Sequence, residues 1–196
     1  MSDTIVKLLL EGTWQTLVMT FASGFFGFLL GLPTGILLFV TRKGQIMENK
    51  AIHQITSVIV NIFRSIPFII LIVWMIPFTR ELVGTSIGVS AALVPLSIGA
   101  APFVARLVEN SLLEIPAGLI EAARAMGATH KQIILKVLLP ESLPSMVNNA
   151  TITLITLVGY SAMGGAVETT SVDLAKRSRE LSEAHFVANG LALDQH

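Results

Sequence analysis

The sequence predicts an all-α polytopic membrane protein, a bundle of helices that cross a lipid bilayer. The first observation is composition, since 53% of the 196 residues are hydrophobic and only 13% are charged, against about 25% charged in a soluble domain. The second is distribution, because long stretches of the sequence contain no charged residue. The net charge is zero and cysteine is absent. For the chain as a whole, these features exclude a disordered polypeptide, a nucleic-acid binder and thiol chemistry.

The uncharged stretches define the predicted spans. Three of them have 30, 24 and 26 residues, each more than the roughly 20 that a helix needs to cross the bilayer core. A fourth, 65–79, has 15 residues and reaches spanning length only if it extends back through Arg64. We therefore predict four spans, at about residues 13–41, 58–79, 82–105 and 144–167.

Basic residues predict the orientation of these spans. They cluster in the loop after the first span and in the loop between the third and fourth spans. These residues are Arg42, Lys43 and Lys50 in one loop and Arg106, Arg124, Lys131 and Lys136 in the other. Since basic loops favour the cytoplasm, the N-terminus is expected outside.

Two spans carry patterned faces. In the first, Gly27, Gly31 and Gly35 lie on one helical face, which predicts close packing against another helix. In the fourth, a mostly polar stripe recurs at spacings of 4, 3, 4 and 3 residues. Its members are Asn149, Thr153, Thr156, Tyr160 and Met163. Such a stripe lines an aqueous translocation path or joins helices by hydrogen bonds, and the sequence leaves both alternatives open.

Charged residues inside the spans are scarce. Arg64 lies near the cytoplasmic end of the second span, where it can snorkel or line a cavity along the path. No Asp or Glu is predicted at span depth, so proton or sodium coupling has no evident carrier.

The loop from residue 106 to 144 contains its own helical signals. Pro116 suits the first turn of a helix that runs to Met126, with Leu119, Ala123 and Met126 on one face. Gly127 suits a left-handed residue after that helix. Thr129 and Gln132 form a capping-box pattern for a second helix, which Pro140 is expected to end. A structured cytoplasmic loop of this kind indicates a docking element for a soluble partner.

The same loop carries a family motif. Glu121-Ala122-Ala123, Gly127, Val137 and Leu139-Pro140 resemble the EAA motif of ABC importer permeases, E-A-A-x3-G-x9-I-x-L-P, with Val137 in place of Ile. The segments 61–68, 74–80 and 159–167 look like the methionine importer permeases, and the resemblance covers about residues 5–167. It implies that residues 116–140, here called the coupling segment, dock on an ATPase.

The resemblance also implies partners. Family members act as homodimers with two ATPase subunits and a periplasmic or lipid-anchored substrate-binding protein, and import methionine across the bacterial inner membrane. This chain has no P-loop, so it is not expected to be an enzyme or to bind a cofactor; ATP and Mg²⁺ belong to the ATPase. Tyr160 and Met163 are candidates to touch the thioether of methionine. The alternatives are a permease for another amino acid or small substrate, an inactive truncated permease, a membrane scaffold or an intramembrane hydrolase.

The resemblance stops after residue 167. The family continues into a fifth span, whereas residues 168–196 here are polar and contain eight charged residues. We therefore expect a transmembrane domain over 1–167 and a separate tail over 168–196, which forms either an amphipathic helix or a disordered segment. The abrupt change favours a truncated or frame-shifted ending over a real variant, and predicts poor assembly with the ATPase.

Overall fold

Helices form every regular element in the part of the chain that the structure describes. The structure is a computed structural model that describes residues 3–85 and 88–193, with side chains for 5–85, 88–165, 167 and 176–181. The helices are α1 (Asp3–Thr41), α2 (Lys50–Ser65), α3 (Phe68–Val83), α4 (Val89–Leu113), α5 (Ala117–Ala125), α6 (His130–Ile133) and α7 (Leu139–Leu193). A π-helical segment, Ile134–Leu138, joins α6 to α7. The all-α membrane fold predicted from the sequence is confirmed.

Among the described residues, two helices are long and apolar enough to cross a membrane, over Ile5–Thr41 and Val89–Leu113. The first contains the span predicted at 13–41. The other differs from the span predicted at 82–105, because it starts later and runs past Arg106. Gly84, with φ of 80°, ends α3, and Gly88, with φ of 100°, precedes α4. A turn at glycines therefore occupies the start of that uncharged stretch, although residues 86–87 lie outside the described ranges.

The predicted span at 58–79 is wrong as one straight helix. The axes of α2 and α3 differ by 104°, and the break falls at Ile66 and Pro67, here called the elbow. Ile66 has an extended backbone, with ψ of 121°, as expected for a residue before proline. If the bent pair counts as one span, the described residues hold up to three spans by length and composition.

The region of the fourth predicted span, 144–167, lies inside α7, which is not among the spans identified in the described residues. Its crossing of the membrane therefore stays a prediction. The tail was expected to form either an amphipathic helix or a disordered segment. Its backbone is helical as far as Leu193. Residues 194–196 and most side chains of the tail lie outside the described set, and the division into two domains stays a prediction.

Helix α4 is the centre of the bundle and packs against α1, α2, α3 and α7. The close approach predicted from the glycines of α1 is confirmed. A Cβ atom built on Gly31 would lie 2.6 Å from Cβ of Val104, and one on Gly35 would lie 2.5 Å from the carbonyl oxygen of Ala105. Contacts this short require glycine, so the two helices meet backbone to backbone.

Candidate functional site

The coupling segment begins where α4 ends. Its first helix, α5, spans Ala117–Ala125 with Pro116 and Met126 as its flanking caps, close to the predicted bounds. The face predicted from Leu119, Ala123 and Met126 is not the buried face of the helix, except at Ala123. Ile120 and Ala123 are buried, whereas Leu119 is 41% and Met126 82% exposed. The short helix turns Ile120 toward the core at the end of α4, and Met126 follows the last helical residue.

Gly127 closes α5 with a Schellman motif. Its φ is +79°, as predicted for a left-handed C′ residue. Its N–H donates to the carbonyl of Arg124 at 2.9 Å, and the N–H of Ala128 donates to the carbonyl of Ala123 at 3.0 Å. These two bonds satisfy carbonyls that the end of a helix leaves free. Ala128 also packs against the cluster that contains Ala123. Ala123, the third residue of the motif, therefore supports the turn.

The second half of the coupling segment anchors it to the bundle. Thr129 and Gln132 form the predicted capping box at the start of α6. Ile133 and Leu138 are completely buried, and Val137 and Leu139 pack against the same core cluster. This cluster also includes side chains of α1, α4 and α5.

Pro140 does not end the second helix as predicted. It lies within the first turn of α7, directly after the π-helical segment. The N–H of Leu139 still donates to the carbonyl of Ile134. Pro140 has no N–H to donate. It lies where the backbone hydrogen bonds change from the π-helical to the α-helical pattern. The chain therefore passes from the coupling segment into α7 without a turn.

The motif residues divide into two sets. Ala123, Val137 and Leu139 are packed, whereas Glu121, Ala122 and Pro140 are exposed. Glu121 and Arg124 line a cleft of about 290 Å³ between α5 and the loop after α1. The buried set holds the segment in shape, and the exposed set leaves a small, charged surface free for a partner.

A cavity of about 130 Å³ brings together two residues of the predicted translocation path, Arg64 and Tyr160. It lies beside the elbow and is called the Arg64 cavity. Phe68 and Leu71 of α3 and Gly99 of α4 line it. Phe68 stacks on Tyr160. The cavity therefore combines one guanidinium and one phenol with aromatic and aliphatic side chains.

The rest of the polar stripe on α7 is not brought to this cavity. Asn149 donates from Nδ2 to Oγ of Ser111 at 2.7 Å and to the carbonyl of Leu107 at 3.2 Å. Thr153 is 1% exposed and bonds the carbonyl of Asn149. The bonds of Asn149 join α7 to α4, whereas the bond of Thr153 stays within α7. Thr156 also bonds its own helix, and Met163 is 46% exposed.

The sequence reasoning missed a charged group inside the bundle. Glu109 of α4 is 2% exposed and lies within Val89–Leu113, beyond the predicted end of that span at residue 105. It pairs with Arg106 on the same helix and with Arg42 at the end of α1. The available signal was the three-residue spacing of Arg106 and Glu109, which places both on one helical face.

The chain is similar to known transport proteins. Residues 27–172 match the family model described as binding-protein-dependent transport system inner membrane component. The D-methionine transport system permease protein MetI of Salmonella typhi is 72% identical over 165 residues, which are 84% of this chain and 76% of that protein. MetI of Yersinia pestis has the same identity and coverage.

A solved structure is also similar. It is an inward-facing conformation of the MetNI methionine ABC transporter. The matching chain superposes with a TM-score of 0.85 at 71% identity, over 86% of this chain and 78% of that one.

Proposed function

Because the chain belongs to the family of binding-protein-dependent transport system inner membrane components, we propose that it forms the membrane path of an ATP-driven importer of methionine. The observation that carries the proposal is the coupling segment. Its core side chains and its Schellman turn hold α5 firmly, while Glu121 and Ala122 stay exposed. A rigid helix with small exposed residues suits the docking of an ATPase.

The arrangement of the basic loops supports a cytoplasmic position for the coupling segment. Phe39 of α1, Leu112 of α4 and Ile120 of α5 share one core cluster. The loop after α1 and the coupling segment therefore lie on the same side of the molecule, and both are basic. This side faces the cytoplasm, and the N-terminus lies outside.

In the complete importer, two copies of this chain meet two ATPase subunits, which bind ATP and Mg²⁺. A periplasmic or lipid-anchored binding protein supplies the substrate from outside. Closure of the ATPase dimer draws both coupling segments together and changes which side of the path is open. This chain forms the path and moves with the coupling segments, and the ATPase partner hydrolyses ATP.

The Arg64 cavity supports an amino acid as the substrate. The guanidinium of Arg64 matches a carboxylate. Phe68 and Tyr160 offer aromatic surface, with which a thioether makes favourable contacts. Thr156 and Met163 extend the proposed path along α7. Asn149 serves it by holding α7 against α4, whereas the hydroxyl of Thr153 bonds its own helix.

A competition assay tests the substrate. The chain is reconstituted into proteoliposomes with its ATPase and binding protein, and uptake of radiolabelled methionine is measured with unlabelled amino acids in excess. We expect methionine itself to abolish the signal, while leucine and glutamine leave most of it. Equal competition by all three would refute methionine specificity but leave the permease role intact.

A further inference from the structure

Glu109 lies buried near the C-terminal end of α4. Its Oε2 accepts a hydrogen bond from Nη1 of Arg106 at 2.6 Å, and Nη1 of Arg42 lies 3.8 Å from its Oε1. Removing an unpaired carboxylate from water is strongly unfavourable, so the two arginines are what make this burial tolerable. Of the two, Arg106 is the closer and the more buried.

Arg106 also reaches another helix. Its Nη2 donates to Oγ of Ser57 and to Oδ1 of Asn61, the latter at 2.9 Å, and approaches the carbonyl of Ser57 at 3.4 Å. The guanidinium is a planar fork that bonds in two directions at once. One end holds Glu109 on α4, and the other holds one face of α2.

Helix α2 has few other attachments. Val60 is its single buried residue, and it packs with Leu38 of α1 and Ala105 of α4. His53 adds one contact, 3.0 Å from Nδ1 to the carbonyl of Leu38. The opposite face is open, with Ile55 62% exposed. Phe63 also packs against the cluster that contains Leu96 and Ala100 of α4. The polar link through Arg106 therefore adds directional hydrogen bonds to a small apolar contact between α2 and α4.

We infer that Arg106 and Glu109 are positioning residues that join α2 to α4, so that a movement of the coupling segment reaches the Arg64 cavity. Beyond Glu109, helix α4 continues to Leu113, and residues 114–116 connect it to α5. On the other side of the link, Asn61 lies one helical turn before Arg64, which borders the elbow. A displacement of α5 is thus passed through α4 and the guanidinium to Arg64. The inference rests on the proposed function.

The test removes the link without exposing a buried charge. In the double variant Ser57→Ala and Asn61→Ala, the Arg106–Glu109 pair remains on α4, but α2 loses both side-chain acceptors. The control is Gln54→Ala, an exposed position one turn earlier on α2. Each protein is reconstituted with ATPase and binding protein, and methionine uptake and ATP hydrolysis are measured in the same vesicles. The informative quantity is methionine imported per ATP hydrolysed.

We expect the double variant to hydrolyse ATP at a near-normal rate and to import about tenfold less methionine per ATP, because each lost bond involves a charged donor. The control should keep the normal ratio. The single variant Asn61→Asp preserves an acceptor for Arg106, so its ratio of methionine imported to ATP hydrolysed should be close to normal. If the double variant does not assemble, the single variants Ser57→Ala and Asn61→Ala are judged by the same ratio.

Two results would overturn the inference. One is an unchanged ratio in variants that lack the acceptors. The other is a parallel fall of uptake and hydrolysis, which indicates a role in stability alone. Failure of the unmodified complex to import methionine would instead count against the proposed function, so the two failures are distinguishable.

Discussion

The ring of Tyr160 stacks on the ring of Phe68, with centroids 4.1 Å apart and planes 8° from parallel. Phe68 is the first residue of α3, directly after the elbow. The stack therefore ties α7 to the point where the chain bends, and it forms one wall of the Arg64 cavity.

Changes at Tyr160 should separate the stack from the hydroxyl. Tyr160→Phe keeps the ring, so the melting temperature of the purified complex should be unchanged while methionine uptake changes through the lost hydroxyl. Tyr160→Ala also removes the stack, which contributes about 0.5–1.5 kcal/mol beyond buried area, and should lower the melting temperature. Equal melting temperatures for the two variants would contradict this role of the stack.

The glycine face of α1 should not tolerate a methyl group where it meets α4. In Gly35→Ala the new Cβ would meet the backbone oxygen of Ala105 at 2.5 Å, so the helices must separate. The matched control is Gly12→Ala, which has open space around it and should gain up to about 1 kcal/mol in helix propensity. Thermal unfolding in detergent compares them, and a Gly35→Ala protein as stable as the control would disprove the close contact.

Gly127→Ala should strain the turn of the coupling segment without a steric clash. No atom lies within 4 Å of the added Cβ, but φ is +79°, and a left-handed backbone costs an L-residue about 1–2 kcal/mol. We expect weaker retention of the ATPase on affinity purification. Gly127→Asn should be milder, and Gly118→Ala inside α5 should bind normally. Normal retention by Gly127→Ala would show that the turn does not matter for docking.

The adjacent residues Ala122 and Ala123 should respond differently to the same substitution. Ala123 is 4% exposed, so Ala123→Leu overpacks the core at a cost of about 1–3 kcal/mol. Ala122 is exposed, so Ala122→Leu should leave the permease stable and weaken its association with the ATPase. Melting temperature and co-purification are measured together. If Ala122→Leu binds the ATPase normally, this residue is not part of the docking surface.

Local signals in the sequence were sufficient for the capping box and the glycine turn of the coupling segment. The capping box at Thr129 and the left-handed Gly127 depend on neighbouring residues alone, and both were predicted. The buried face of α5, which includes Ile120, was not predicted, because its burial is set by the end of α4 and by α1. The end of the second helix at Pro140 was wrong for a related reason, since the π-helical segment before it accommodates the proline.

Runs of uncharged residues were a less reliable guide to helix bounds. The uncharged run continues smoothly through Ile66 and Pro67, so its length does not predict the bend of 104° there, although a proline inside a span is expected to kink it. The uncharged run ends at Arg106, yet α4 continues past it because Glu109 and α2 provide partners for its guanidinium. Pairings between helices far apart in the sequence leave no local pattern, so they required the structure.

The central claim is that this chain forms a membrane path driven by an ATPase. Accumulation of radiolabelled methionine against a gradient tests it most directly, in proteoliposomes that contain this chain, its ATPase and its binding protein. We predict accumulation with ATP and Mg²⁺, and none with a non-hydrolysable ATP analogue. Equal accumulation with the analogue, or no uptake by an intact complex that hydrolyses ATP, would contradict the claim.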